Sequence, residues 1–319
     1  MGKASRTKQD GDRRARIAAQ REAERRAAQR KRIYLAGGAI AVVAIVVIAL
    51  VLVRLNGGGS TAAASNGPTG AALASVTKQV TDVPTSVTDE VAGGGVETGM
   101  FVSAPTSAAI SSASSQLGSY FATVNGTALT SAGKPEVLFM GGEYCPFCAA
   151  QRWAMINSLA RFGTFTGLKT THSSSTDTDP NTPSFSFYGS KFTSDYITFT
   201  PVEEYTNVPS GTGYTTLQTP TAAQAAIGQQ YDPSGSIPFF SIANKYVQVG
   251  NLSPLTPTLL AGKTWAQVAS AMNDPTSSIG KAIIGNANYM TAAICKVTDN
   301  KPATACTPTI QKLEATLAS

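Results

Sequence analysis

Histidine occurs once in 319 residues, as His172, and charged side chains make up only 14% of the chain. A structural zinc centre takes about four Cys, His, Asp or Glu ligands. With one histidine, and with the four cysteines split between positions 145/148 and 295/306, the spacing argues against such a centre and no metal site is assigned. His172 has no visible partner for acid–base work and is given no role. Positive charge is also scarce where it would matter. The formal net charge is +6, but residues 1–32 hold 12 Lys/Arg against 4 Asp/Glu, which leaves 13 against 15 in the remainder. Neutralising phosphates requires basic residues on the folded domain itself, so nucleic acid is excluded as a partner of that domain. No internal repeat is visible.

What is present divides the chain into zones. Residues 1–32 read as a basic arm rich in Ala, Arg, Glu and Gln, with helix-favouring composition but no apolar face. Ile33 to Val53 are 21 residues without a charge, about the ~20 that a helix needs to cross hydrocarbon, and predict a single transmembrane helix in contact with the lipid bilayer. Arg30, Lys31 and Arg32 precede this run and only Arg54 follows it, so the positive-inside bias places the arm in the cytoplasm and everything after Arg54 outside. A cleaved signal peptide is the rival reading, although its apolar region is shorter, ~7 to 15 residues. Residues 54–71 are rich in Gly, Ser and Ala and read as a flexible linker. Residues 72–116 read as a partly ordered N-terminal extension, with a short helix over Val76 to Val91 broken by Pro84. An extracytoplasmic domain is expected over 117–319, with a long polar insertion at 163–235.

Within that domain, Asn125-Gly126 between aromatic and β-branched residues predicts a hairpin, because Asn-Gly supplies the positive φ angles of a tight turn. Val137 to Met140 is a short apolar run of the buried-strand kind, ended by Gly141-Gly142. Pro146 to Phe162 predicts a helix. Strand, turn and helix in that order begin an α/β layer. Strands are predicted at Leu168 to Thr171, Phe185 to Tyr188, Tyr196 to Val202, Pro238 to Ile242 and Tyr246 to Val249. Helices are predicted at Pro220 to Gln230, Thr264 to Met272 and Ser277 to Cys295.

The cysteines carry the chemistry. Cys145-Pro146-Phe147-Cys148 sets Cys145 at the mouth of a helix, where free N–H groups and the positive dipole end favour a thiolate. Cys148, one turn later, can close a small disulfide ring with it, and Pro146 suits the first helical position. An inert structural disulfide is the competing reading of this pair. Near the motif, Glu143 is either a proton acceptor or a loop carboxylate, and Tyr144 either a groove wall or packing. Arg152, two turns after Cys145, is a thiolate-tuning cation or a solvated helix arginine, and Trp153 reads as core. Cys295 and Cys306 read as a structural disulfide stapling the C-terminus, with a redox relay to Cys145 as the alternative.

Ser236-Ile237-Pro238-Phe239-Phe240 places a proline at the start of an apolar strand, 93 residues after Cys145. The strand-CPFC-helix element followed by this Ile-Pro strand and a hairpin resembles the thioredoxin fold. That resemblance implies a cis Pro238 packed on the active pair, with Ile237 offering backbone groups to an extended substrate. The runs GKPEVLFMGGEYCPFCAAQRWAMINSLARFGTF, FSFYGSKFTSDYITFTPVEE and IPFFSIANKY, with an Ile-Cys near the C-terminus, are similar to an uncharacterised membrane-anchored thioredoxin-like family of archaea and actinobacteria, over roughly Ser75 to Cys306. The expectation is therefore an α/β, thioredoxin-like fold with a long insertion behind a single transmembrane helix. It would act as a membrane-tethered thiol-disulfide oxidoreductase on protein cysteines, with Cys145 attacking and Cys148 resolving a mixed disulfide. Oxidase or isomerase work is favoured over reductase work by the compartment. No metal or organic cofactor is needed. Turnover would call for a membrane redox partner, either a quinone-linked oxidase or a reductant carrier. Two other readings stand beside it: a binding or scaffold module with a permanently oxidised CPFC pair, and copper handling through Cys145 and Cys148 with Met140 or Met155.

Overall fold

The computed structural model describes residues 67–317. The basic arm, the apolar run 33–53 and all of the expected linker before residue 67 lie outside the described residues. Among the described residues no helix is long and apolar enough to cross a membrane.

In chain order the elements are helices α1 (Gly70–Thr81) and α2 (Thr85–Val91), strand β1 (Phe101–Ser103), helix α3 (Ser107–Leu117), strands β2 (Tyr120–Thr123), β3 (Thr130–Ser131) and β4 (Lys134–Gly141), and helix α4 (Pro146–Ala160). Strands β5 (Thr164–Thr166), β6 (Lys169–His172), β7 (Pro183–Ser186), β8 (Lys191–Thr193), β9 (Thr198–Glu203), β10 (Tyr205–Ser210) and β11 (Gly213–Thr216) come next. The remainder is helix α5 (Ala222–Tyr231), strands β12 (Phe239–Ile242) and β13 (Tyr246–Val249), and helices α6 (Trp265–Met272), α7 (Ser278–Val297) and α8 (Pro308–Glu314).

A central mixed sheet runs β1-β2-β13-β12-β4, with β9 on the other side of β4 and β3 paired to the first residues of β4. The β4–β9 pair is parallel, whereas β12 runs antiparallel to both β4 and β13. Helices cover both faces, so the second half of β4, Val137 to Met140, is continuously apolar and not alternating. Val137 and Phe139 join a core with Trp153, Ile156 and Phe240 beneath α4 and α7. Leu138 and Met140 point the other way, into a second core with Ile110, Tyr231, Phe239 and Val249 beneath α3 and α5. Pro201 lies in β9, whose outer side carries no strand of this sheet, which is where a residue lacking an N–H is tolerated.

Three expectations change. Asn125-Gly126 is not a hairpin turn: Gly126 has no positive φ, and β2 pairs with β1 and β13. A Cβ on Gly126 would come within 2.0 Å of the Tyr231 hydroxyl, so glycine serves close approach there. The turn lies at Ala132-Gly133, both with positive φ, between β3 and β4. The stretch 163–235 is also not simply an insertion, because β9 is a member of the central sheet. Residues 72–116 carry α1, α2, β1 and α3, with Val76 and Val80 buried in the main core and β1 forming the sheet edge. The small-residue patch around Ser107 forms a helix because Thr106 caps it, accepting from the Ala109 N–H at 3.2 Å.

Cys295 and Cys306 form a disulfide with Cα atoms 5.7 Å apart, joining the end of α7 to the turn before α8. Its loop is short, so the chain-entropy model gives about 3 kcal/mol. Cys295→Ser with Cys306→Ser is expected to lower the unfolding free energy by about that amount in urea titration while leaving the thiol chemistry at Cys145 intact.

Candidate functional site: a reduced CPFC pair over a buried ion pair

Strand β4 ends at Gly141, and the chain turns through Gly142 to enter α4 at its N-cap, Cys145. Glycine is required at 141, because a Cβ there would lie 2.5 Å from the Phe139 ring and 3.2 Å from Cys148 Sγ. Pro146 occupies the first turn. Both cysteines are free thiols. Cys145 is almost wholly buried and Cys148 entirely so. Cys145 Sγ accepts from the Cys148 backbone N–H at 3.2 Å and lies 3.8 Å from the Ile237 carbonyl oxygen.

The two thiols are electrostatically unlike. The hydrogen bond from the Cys148 side chain pulls the Cys145 pKa down. Burial opposes this, while the Cys148 N–H, the charge of Arg152 and the Phe147 N–H add to it. Burial pushes Cys148 well up, and so does its interaction with Cys145. The thiolate is thus favoured at Cys145 and disfavoured at its neighbour Cys148.

The Ile237–Pro238 peptide bond is cis. The loop before it is shaped by buried Asp232, which accepts from the Ser234 hydroxyl and the Ser236 N–H, and Pro238 O accepts from the Gly250 N–H at 2.8 Å. A cavity of about 180 Å³ opens beside it, lined by Met140, Glu204, Gly228, Ile237 and Phe239 among others. Burial raises the Glu204 pKa.

Arg152 is not solvated. It is fully buried and forms a two-pronged ion pair with Glu203, Nε to Oε1 at 2.9 Å and Nη2 to Oε2 at 2.5 Å. Ser184 Oγ lies 3.4 Å from Nη1, the guanidinium sits 5.7 Å from the Phe139 ring centre, and the Phe187 N–H donates to Glu203 Oε1 at 3.1 Å. Burial works against the Arg152 charge, but Glu203 holds its pKa above the usual arginine value. Glu203 faces Gly141 in the β4–β9 register, so the pair lies directly beneath the CPFC turn. Trp153 is core, donating its ring N–H to Pro183 O at 2.8 Å.

Glu143 is half-buried, and its backbone N–H donates to Tyr205 O at 2.9 Å. Tyr144 stacks on Tyr214, with ring centres 4.1 Å apart and 12° between planes, and meets Tyr205 edge-on at 6.1 Å. The β10–β11 hairpin, a two-stranded sheet of its own, is therefore fastened against the residues that precede Cys145. The structure brings Glu143, Tyr144, Cys145, Cys148, Arg152, Ile237 and Pro238 to one place, while Cys295 and Cys306 are already paired with each other.

Sequence reasoning missed Glu203, Tyr205 and Tyr214. A carboxylate closing the apolar strand TFTPVE was a signal for the first, since a charge at a buried strand end calls for a partner. Nothing local marked the tyrosines.

Residues 120–212 match the sequence model of a family described as Domain of unknown function (DUF929). The matched stretch includes Cys145, Cys148, Arg152, Glu203 and Tyr205, and ends before Tyr214 and the Ile237-Pro238 loop. No curated protein and no solved structure matches the chain. Among the described residues, no group of three or more His, Cys, Asp or Glu side chains is gathered to hold a metal ion.

Proposed function

We propose that the chain is a membrane-tethered, extracytoplasmic thiol-disulfide oxidoreductase with a thioredoxin-like domain. The observation that carries this reading is the asymmetric pair: Cys145 acidified at a helix N-terminus, Cys148 buried and protonated behind it, and the Ile237 carbonyl 3.8 Å from the attacking sulfur. The sheet supports it as well. The order β9-β4-β12-β13, with one parallel and two antiparallel pairings and CPFC between β4 and α4, is the arrangement expected of a thioredoxin-like core. In that frame β1, β2 and the β10–β11 hairpin are additions.

In the reducing direction, the Cys145 thiolate attacks one sulfur of a substrate disulfide, and the other sulfur leaves as a thiolate that takes a proton from water. Cys148 then loses its proton to solvent and attacks Cys145 Sγ, expelling the second substrate thiolate. Two electrons pass from the dithiol to the substrate, and a Cys145–Cys148 disulfide forms. The oxidising direction is the same sequence reversed. The apolar run 33–53 would hold the domain near a membrane partner that resets the pair, either a quinone-linked oxidase or a carrier of reducing equivalents.

The test is to equilibrate the full-length chain in mild detergent with graded glutathione buffers and to locate free thiols by mass spectrometry. A Cys145–Cys148 couple at about −120 to −180 mV identifies a disulfide donor, and one near about −270 mV a reductant. A pair that never opens or closes across this range overturns the enzyme reading in favour of a binding module.

A further inference from the structure

Four large apolar side chains are left well exposed among the described residues: Phe147 at 43%, Tyr188 at 46%, Tyr205 at 37% and Val208 at 57%. Three of the four belong to CPFC or to the hairpin fastened against it. Isolated exposed apolar side chains are ordinary, but here Phe147 lies within the motif, Tyr205 is held against Glu143 and Tyr144 just before Cys145, and Val208 follows on the same strand. The hairpin residues 205–216 carry no charge. Of the groups whose charge acts on the Tyr144 ring at its base, Asp177 is negative and so is Cys145 as its thiolate, while Cys148 is held protonated and adds none. The nearest buried cation, Arg152, is neutralised by Glu203.

We propose that the β10–β11 hairpin selects the substrate, and that it accepts an unfolded polypeptide whose cysteine is flanked by aromatic and cationic residues. Tyr205 and Val208 offer apolar contact along an extended chain, and exposed Phe147, within the motif itself, adds to it. The aromatic rings and the negative field at their base favour Lys or Arg beside the reacting cysteine and disfavour Asp or Glu. This deepens the oxidoreductase reading and rests on it.

The probe is a set of unstructured peptides, each carrying one cysteine as a mixed disulfide with thionitrobenzoate. One is flanked by Lys and Phe, one by Ser, and one by Asp and Phe. Bis(2-hydroxyethyl) disulfide is the small neutral reference. The reduced full-length chain is mixed with each, and loss of its two thiols is followed. At low salt the Lys/Phe peptide is expected to react about tenfold faster than the Asp/Phe peptide, the gap narrowing as salt is added. The double variant Tyr205→Ser/Val208→Ser should lower the ratio of the Lys/Phe peptide rate to the small-disulfide rate by about tenfold. Asp177→Lys should shrink the charge preference while retaining the preference for Phe. Equal peptide rates with a reactive small disulfide overturn the hairpin proposal and leave the redox reading standing. A chain that reduces neither peptide nor small disulfide overturns both.

Discussion

Cys148→Ser is expected to stop the reaction at the mixed disulfide and leave a substrate polypeptide bound to Cys145. The wild-type resolving step is intramolecular, from a sulfur one helical turn away, and such steps have effective molarities on the order of 10⁵ M or more. With serine at 148, release waits for an external thiol, and turnover should fall by at least about a thousandfold. The adduct is read on a non-reducing gel and by mass spectrometry, and it should vanish on adding dithiothreitol. Cys145→Ser should form no adduct and show no turnover, because the remaining thiol is buried and held protonated. The pH dependence of alkylation separates the two sulfurs further. Because the Cys145 pKa is depressed, its alkylation rate should hold constant to below the ordinary cysteine value of about 8.5 and fall only as pH drops through the lowered pKa. An ordinary cysteine would already be losing rate at about pH 8.5. A flat, slow profile for both sulfurs would instead indicate an inert pair.

Breaking the Arg152–Glu203 pair should produce the second large effect, with a signature that mere destabilisation cannot give. Both side chains are fully buried, so removing one leaves the other charge without a partner in the core. Arg152→Met and Glu203→Gln should each cost about 3–5 kcal/mol, measured as a lower urea midpoint. On Cys145 acidity, however, they act in opposite directions. Arg152→Met removes a charge that lowers the Cys145 pKa and leaves a carboxylate beneath the pair, so the thiolate should form only at higher pH. Glu203→Gln leaves the guanidinium uncompensated, and the thiolate should form at lower pH. Arg152→Met/Glu203→Leu, which removes both charges, should recover most of the lost stability. Equal pKa shifts in the two single variants would show that the pair holds the fold and has no influence on the sulfurs.

Much of this site was readable along the chain. Val137 to Met140 had the length and composition of a strand buried on both faces, the CPFC cysteines stood where a helix had to begin, and Ile237-Pro238 opened the next apolar run. Arg152 was harder to read because α4 is buried almost all round, from Cys148 to Leu159, so a wheel position says nothing about solvent. Its partner lies 51 residues away on a strand brought alongside β4 by a long crossover, a pairing that no local pattern encodes. Asn125-Gly126 misled for a related reason. Turn propensity describes what a dipeptide can do, whereas Gly126 is there because the Tyr231 hydroxyl leaves no room for a side chain. The stretch 72–116 has borderline composition, and its order comes from docking Val76 and Val80 into a core built mainly by later residues.

The β10–β11 hairpin pairs its strands only with each other, turning between Ser210 and Gly213, and neither strand joins the central sheet. Residues there can be exchanged without shifting the register of the strands that hold Cys145, Arg152 and Glu203. The hairpin is therefore a natural place for drift and for grafting: new recognition sequences could be installed on it while the reactive sulfurs keep their setting, one scaffold serving many clients.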